Sequence, residues 1–415
     1  VQEADGRVSD VRQPVEMPTG TAVVDGVDPL HGLFVYGQSN AGGGGSFITS
    51  LQAARYPYHC LTFPGAILTQ TAAPAGSCTD FVGLYNTAAE LFVATSSGIA
   101  AEAWARSKGE RTQGRFHFSV SYGGQAIAQF QKGTTTYNNL IYAAGKFVDV
   151  AAKYGRKPVL DRILWVQGET SSANYAADFN MLVTNANADI AAATGGAAPK
   201  WLVAQINTIA SEAGFRQEPL DLLSVVRSRP SEMTMVGPMY QYPLQADDGL
   251  HPTEIGKFMF GESVALADEY LRAGSFNPLW PLASGAVTRT TNVIDVKFQL
   301  PPGTTGLAFD ADWVRAATNY GFVYTDDSGA PPAITNVAIV GSDTVRITLA
   351  STPTGANRKV QYALGQGPVG DNLWASGRGQ LYAPTTRSSL VSSLGLGNAP
   401  ATVRHYAVRF QEIVP

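Results

Sequence analysis

The chain has 415 residues, and 33 acidic against 29 basic side chains give a formal net charge of −4. Hydrophobic residues make up 45% and charged residues 15%, the latter well below the roughly 25% of an average soluble protein, which excludes disorder as the dominant state. A mildly acidic balance without a Lys/Arg block argues against a nucleic-acid or anionic-membrane partner, and no stretch approaches the roughly 20 apolar residues of a membrane span.

Residues 1–30 lack sustained periodicity and contain Pro14, Pro18 and Pro29, so an arm or linker is expected there. The first residue is Val1 and no basic-then-apolar leader is visible, as expected of a processed or excised piece. From 31 to 277 short apolar runs alternate with helical stretches, the pattern of an α/β fold with a parallel sheet. Strands are predicted at 33–36 (LFVY), 116–121 (FHFSVS), 162–166 (RILWV), 201–206 (WLVAQI) and 233–236 (MTMV). Helices are predicted at 137–154, where apolar residues recur at three- and four-residue intervals, and at 252–272, opened by Pro252.

Residues 41–114 are long and Gly-rich for a crossover and read as an insertion. They carry both cysteines, Cys60 and Cys78. An even pair in one Gly/Pro-containing segment points to a local disulfide and an oxidising compartment. Two unpaired thiols are the alternative. After residue 277 the texture changes to short strands at 292–300, 321–324, 335–340, 344–349 and 358–364, separated by Asp/Ser/Gly/Pro turns. An all-β sandwich is expected over 278–415.

Motifs with chemical potential fall at the predicted strand ends. Gly37-Gln38-Ser39-Asn40 follows the first strand. In a parallel sheet, ligands bind at the carboxyl ends of the strands, so Ser39 is a candidate nucleophile; a Gly/Asn turn with an N-cap serine is the equal alternative. Asp248-Gly249-Leu250-His251 precedes the last helix. A serine hydroxyl needs a base to take its proton, and imidazole with a carboxylate partner supplies one; the D-x-x-H spacing lets one turn present both groups. Gly123-Gly124-Gln125 and Gln167-Gly168-Glu169 follow two further strands. Acyl transfer needs donors aimed at a developing oxyanion, and glycine N–H groups and a glutamine amide fit that role.

Together these segments resemble the SGNH hydrolase superfamily, and within it the sialate O-acetylesterase and acetyl xylan esterase group. The matching stretches are GQSN (37–40), GGQAIAQF (123–130), LWVQGET (164–170) and DGLHPTEIGKFMFGE (248–262). In the tail, YGFVYTDDSG, NVAIVGSDTVRIT, VQYALG and DNLWASGRGQLYAPTTR stand in the order of the C-terminal module of sialate O-acetylesterases. The similarity spans roughly 32–387. It implies an SGNH (flavodoxin-like) three-layer α/β/α domain followed by the β-sandwich. It also implies Ser39 as nucleophile, His251 as base and Asp248 as the acid orienting the ring. The oxyanion hole would be formed by the N–H groups of Ser39 and of Gly123 or Gly124, with the Gln167 amide. Gln38 and Asn40 would support the serine turn, and Glu169 would anchor loops. Two departures stand out: AGGGG follows GQSN where methionine is frequent, and Glu-Thr-Ser replaces the frequent Glu-Ser-Asp.

The expected activity is removal of O-acetyl groups from carbohydrate by a cofactor-free serine esterase that needs no metal. Its expected setting is secreted, extracellular or periplasmic, or virion-associated, within a larger extracellular or phage tail assembly. Alternatives are a non-catalytic carbohydrate-binding or adhesion module and a lipase or thioesterase of the same superfamily.

Overall fold

A computed structural model describes residues 29–43, 60–64, 67–74, 76–83, 114–207, 209–211, 215–365, 367, 370, 372–393 and 399–415. The expected N-terminal arm, apart from its last residues, and much of the expected insertion lie outside them.

The first half is built on a sheet whose described strands are β1 (Leu30–Gly37), β2 (Cys60–Thr62), β3 (Ile67–Leu68), β4 (Val82–Gly83), β5 (Arg115–Ser121), β6 (Pro158–Val166), β7 (Lys200–Gln205) and β8 (Met233–Pro238). Their order is β4-β2-β5-β1-β6-β7-β8, with β3 also on β5. Every pairing is parallel except β2 with β4. Strands from the 41–114 segment therefore extend the sheet at the edge beyond β5; at two or three residues each they are too short to leave a periodic signal.

Side chains alternate across the sheet, and each face is apolar because each is covered. Phe34 and Tyr36 of β1 point to the side of helices α1 (Thr135–Lys153), α2 (Tyr175–Thr194) and α3 (Glu218–Ser228), meeting Phe147, Phe179 and Leu222 in one core. Leu33 and Val35 point the other way, onto Phe260 and Val264 of helix α4 (Glu254–Ala273). This is the three-layer α/β/α arrangement. Thr253 caps α4 by accepting from Gly256 N, so the helix begins after the Pro252 start that the sequence suggested. Among the described residues no helix is long and apolar enough to cross a membrane.

The C-terminal region forms separate antiparallel sheets. One runs β10 (Val287–Thr290), β11 (Val293–Gln299), β15 (Thr344–Leu349), β14 (Ile334–Val340), with β9 (Trp280–Pro281) also on β11. The others are β12 (Ala308–Phe309) with β17 (Leu381–Ser388) and β18 (Thr402–Tyr406), and β13 (Phe322–Thr325) with β16 (Lys359–Tyr362) and β19 (Phe410–Ile413). β17 escaped the sequence pattern because Pro384 interrupts it, and its pairing with β18 shifts register there.

One expectation is corrected. Cys78 is a free, buried cysteine, so the bridge to Cys60 is not formed; the Cys60 side chain lies outside the described residues. Cys78 packs in the apolar core, and burial pushes its thiol up to about 11. It behaves as a small hydrophobe rather than a staple.

At the amino ends of the strands a buried charge cluster ties the layers together. Asp268 of α4 accepts from Arg162 Nε at 2.7 Å and Arg272 Nε at 2.9 Å, with Arg115 Nη2 at 3.3 Å. Asp161 forms an ion pair with Arg272, its Oδ2 2.8 Å from Nη2, and lies 2.9 Å from His31 Nδ1. Burial raises both carboxyls, but His31, Arg272 and Arg162 bring Asp161 down to about 2, and Arg115, Arg272 and Arg162 bring Asp268 below its ordinary value. Groups with depressed folded-state values stabilise fully above their unfolded value and lose that contribution as pH falls through the folded one. Acid unfolding should therefore set in below about pH 4 and proceed toward pH 2. Asp268→Asn leaves arginines buried without their partner, and urea titration at neutral pH should show a loss of about 3–5 kcal/mol. An unchanged midpoint would mean that the cluster adds nothing to stability.

Candidate active site

The carboxyl ends of β1, β5 and β6, together with the loop after β8, converge on one rim. Gly37 ends β1 with φ 150°, and a Cβ there would lie 2.0 Å from Val166 O. Only glycine allows β1 to come this close to β6. Gln38 N donates to Val166 O at 3.0 Å, extending the pairing by one residue. The chain then turns, with Ala41 N on Gln38 O at 2.9 Å and Gly42 N on Ser39 O at 3.1 Å. Ser39 is left half-buried at the tip of this turn.

Several elements fasten the turn. Asn40 Nδ2 donates to Glu169 Oε1 at 2.8 Å, and Gln38 Oε1 accepts long bonds from Gly168 N and Thr170 N, each 3.4 Å. Ser119 Oγ donates to Ala41 O at 2.8 Å, and Lys257 Nζ of α4 donates to Gly43 O at 3.1 Å. Arg216 Nη2 holds Glu169 O at 2.8 Å. Sequence reasoning missed Lys257 and Arg216, since a lone cation on a helix or loop normally reads as solvated.

The loop after β8 brings up the imidazole. Asp248 Oδ1 accepts from Leu250 N at 2.8 Å and His251 N at 3.0 Å, closing a tight turn. Its other oxygen lies 2.6 Å from His251 Nδ1, and His251 Nε2 lies 2.8 Å from Ser39 Oγ, across 212 positions of sequence. A carboxylate only accepts, so Nδ1–H donates to Asp248 and Nε2 is left to accept from the serine hydroxyl. The Asp248 and His251 side chains are 35% and 17% exposed, which places the chain of bonds at the surface. Partial burial raises the Asp248 carboxyl, but the Leu250 amide, the His251 ring and the His251 amide outweigh it and hold the group below the usual carboxylate range.

Of the glycines after β5, Gly123 is the one against the serine: a Cβ there would lie 3.7 Å from Ser39 Cβ, whereas one at Gly124 would meet nothing within 4 Å. Gln167 is completely buried, and its Nε2 donates to Gln125 O at 3.0 Å, fixing the Gly123–Gln125 turn. Burial raises the Glu169 carboxyl above its ordinary value, against the Asn40 hydrogen bond and the charges of His251 and Arg216. Burial brings Lys257 down to about 8 against the opposing pull of Asp248 and Glu254. The other described histidines lie apart from this rim. His31 faces Asp161, while burial lowers His117 to about 3 and His405 to about 4 and so keeps both neutral.

Residues 31–271 match the family described as carbohydrate esterase, sialic acid-specific acetylesterase. No curated protein sequence matches the chain. Among solved structures, a carbohydrate acetylesterase from Xanthomonas citri is similar at a TM-score of 0.57 and 15% identity, over 92% of this chain and 80% of that one. At that identity the likeness speaks for the fold. A protein from Arabidopsis thaliana aligns with 59% of this chain and 98% of its own at 17% identity and a TM-score of 0.40. An aryl esterase from M. smegmatis aligns with 59% of this chain and 99% of its own at 13% identity and a TM-score of 0.30. With its match running through both the strand that leads to Ser39 and the loop that carries His251, the chain belongs to the carbohydrate esterase, sialic acid-specific acetylesterase family.

Proposed function

We propose that the protein is a serine esterase that removes O-acetyl groups from glycans through a Ser39–His251–Asp248 triad. The observation that carries this reading is the continuous hydrogen-bonded chain from Ser39 Oγ through the imidazole to Asp248, at 2.8 and 2.6 Å. It stands at the carboxyl rim of a parallel sheet, where ligands bind in such folds.

Ser39 Oγ attacks the acetyl carbonyl as His251 Nε2 takes its proton, and Asp248 stabilises the imidazolium that forms. The tetrahedral oxyanion faces the N–H groups of Ser39 and Gly123. Gly123 is preferred to Gly124 because it lies against the serine. Gln167 supports that hole by fixing the turn through Gln125 O, rather than by pointing at the substrate itself. His251 then protonates the departing sugar oxygen, and water activated by the same ring releases acetate and restores the enzyme. The chemistry belongs to the unit 31–277. The surface position of the triad suits an acetyl group displayed on a bulky glycan, and such a substrate would be met outside the cytoplasm. A long acyl chain would instead need an enclosed apolar channel.

Ser39→Ala should stay folded by circular dichroism and lose hydrolysis of p-nitrophenyl acetate by on the order of 10⁴-fold or more. A folded, active variant would refute the mechanism. Protonated imidazole cannot accept the serine proton, so kcat/KM should fall on acidification. Asp248, held below the usual carboxylate range, stays ionised through that limb, so the fall should follow a single proton. A rate that is flat from about pH 5 to 8 would remove His251 as the base. Acetate release from a panel of acetylated sialic acids, xylans and capsular glycans would identify the glycan.

A further inference from the structure

The loop at 239–251 carries Asp248 and His251, and its internal bonds fix these two relative to each other. The bonds from Leu250 N and His251 N to Asp248 Oδ1, and from Gly249 N to Gln245 O, say nothing of where the pair stands relative to Ser39. The α/β layers tie the loop at several points: Met239 N donates to Gln205 O at 3.0 Å, Thr253 N to Pro243 O at 2.8 Å, Tyr242 Oη to Ser263 Oγ at 2.9 Å and Ala210 N to Gly249 O at 2.8 Å. A second set of ties comes from the C-terminal β region.

Tyr240 Oη donates to Ala407 O at 2.6 Å, Trp313 Nε1 donates to Gln241 O at 2.9 Å, and Leu244 N donates to Leu373 O at 2.7 Å. Asn372 Nδ2 donates to Ala246 O at 3.3 Å, and a Cβ on Gly249 would lie 3.4 Å from the Asn372 side chain. Asn372 thus rests on the turn that spaces the acid from the imidazole. The holding groups are themselves fixed. Asp310, buried, accepts from the amides of Asp312, Trp313 and Val314 and from the Tyr406 hydroxyl, which sets the Trp313 turn. The neighbouring β7 end is tied in the same way, with Arg409 N on Gln205 Oε1 at 2.6 Å and Arg409 Nη1 on Ile206 O at 2.7 Å.

We propose that the C-terminal β region is a working part of the active site, in which Trp313 and Asn372 are positioning residues that set where His251 meets Ser39. The inference rests on the triad mechanism above. It assigns the β region a role in turnover of any acetyl ester, whereas a glycan-binding appendage would act only on glycans.

The test measures Trp313→Phe and Asn372→Gly on p-nitrophenyl acetate, which carries no sugar. Both changes spare the fold: Phe keeps a ring edge-on to Trp374, now 5.8 Å away, and glycine accepts the left-handed backbone of Asn372, φ 56°. A displaced base lowers kcat, by about tenfold to a hundredfold on the scale of small misplacements, while KM for the small ester holds. The low-field proton resonance of the His251–Asp248 bond should persist, since that pair moves as a unit. Full kcat in both folded variants would overturn the proposal while leaving the mechanism standing. So would a raised KM on acetylated oligosaccharide with intact turnover of the small ester, which is the signature of a binding module. Failure of the triad reading shows itself separately, as wild type and Ser39→Ala hydrolysing the small ester equally.

Discussion

The site depends on how closely β1 approaches β6 at residue 37. Val166 O occupies the place a side chain would need, and the contact lets Gln38 N continue the ladder for one residue beyond the strand. Ser39 is therefore the first residue free of the sheet, and it emerges between the ends of β5 and β6. Gly123 and Glu169, each just past one of those neighbouring strands, then meet the Ser39 turn by virtue of strand order alone. A bulkier residue at 37 would push β1 off β6 and displace the hydroxyl from the imidazole that reaches it across 212 positions.

The two ends of the sheet handle charge differently. At the amino ends, paired aspartates and arginines are locked ionised between β1, β5, β6 and α4. At the carboxyl rim, burial disfavours charge on Glu169 and Lys257, and Asp248 is the carboxylate held ionised. That asymmetry fits acyl transfer. A fixed anion beside the serine would oppose the negative charge that develops on the carbonyl oxygen, so a Glu169 whose charged form is disfavoured serves as a hydrogen-bonding brace at little electrostatic cost.

Much of this was legible in the sequence because it is periodic or chemically marked. The central strands carry apolar runs covered on both faces, and GQSN, GG, QGE and D-x-x-H each follow a strand or open a helix. The family match over 31–271 agrees with what those motifs resemble. What escaped had no local signature. The described strands of the 41–114 segment are two or three residues long, and β17 contains a proline. Lys257 and Arg216 act through backbone carbonyls far away in sequence, which no spacing rule detects. The cysteine pair misled because number and composition suggested a staple, whereas Cys78 is simply core.

The β region is the harder lesson, because its sequence reads as a separate sandwich and its strands do pair among themselves. Yet Tyr362, Tyr406 and Phe410 belong to the same continuous core as Phe34 and Trp165, and Tyr240 stands edge-on to both Tyr362 and Tyr406. Autonomous domains meet through smaller and more polar faces. Here the shared apolar core lies next to Gln241 and Leu244, so the entropy lost in ordering the loop that carries His251 is offset by burial that the α/β layers alone do not supply. Strand pairing decides which residues form a sheet, but side-chain burial decides which sheets form one mechanical unit. By that criterion the imidazole belongs as much to the second half of the molecule as to the first.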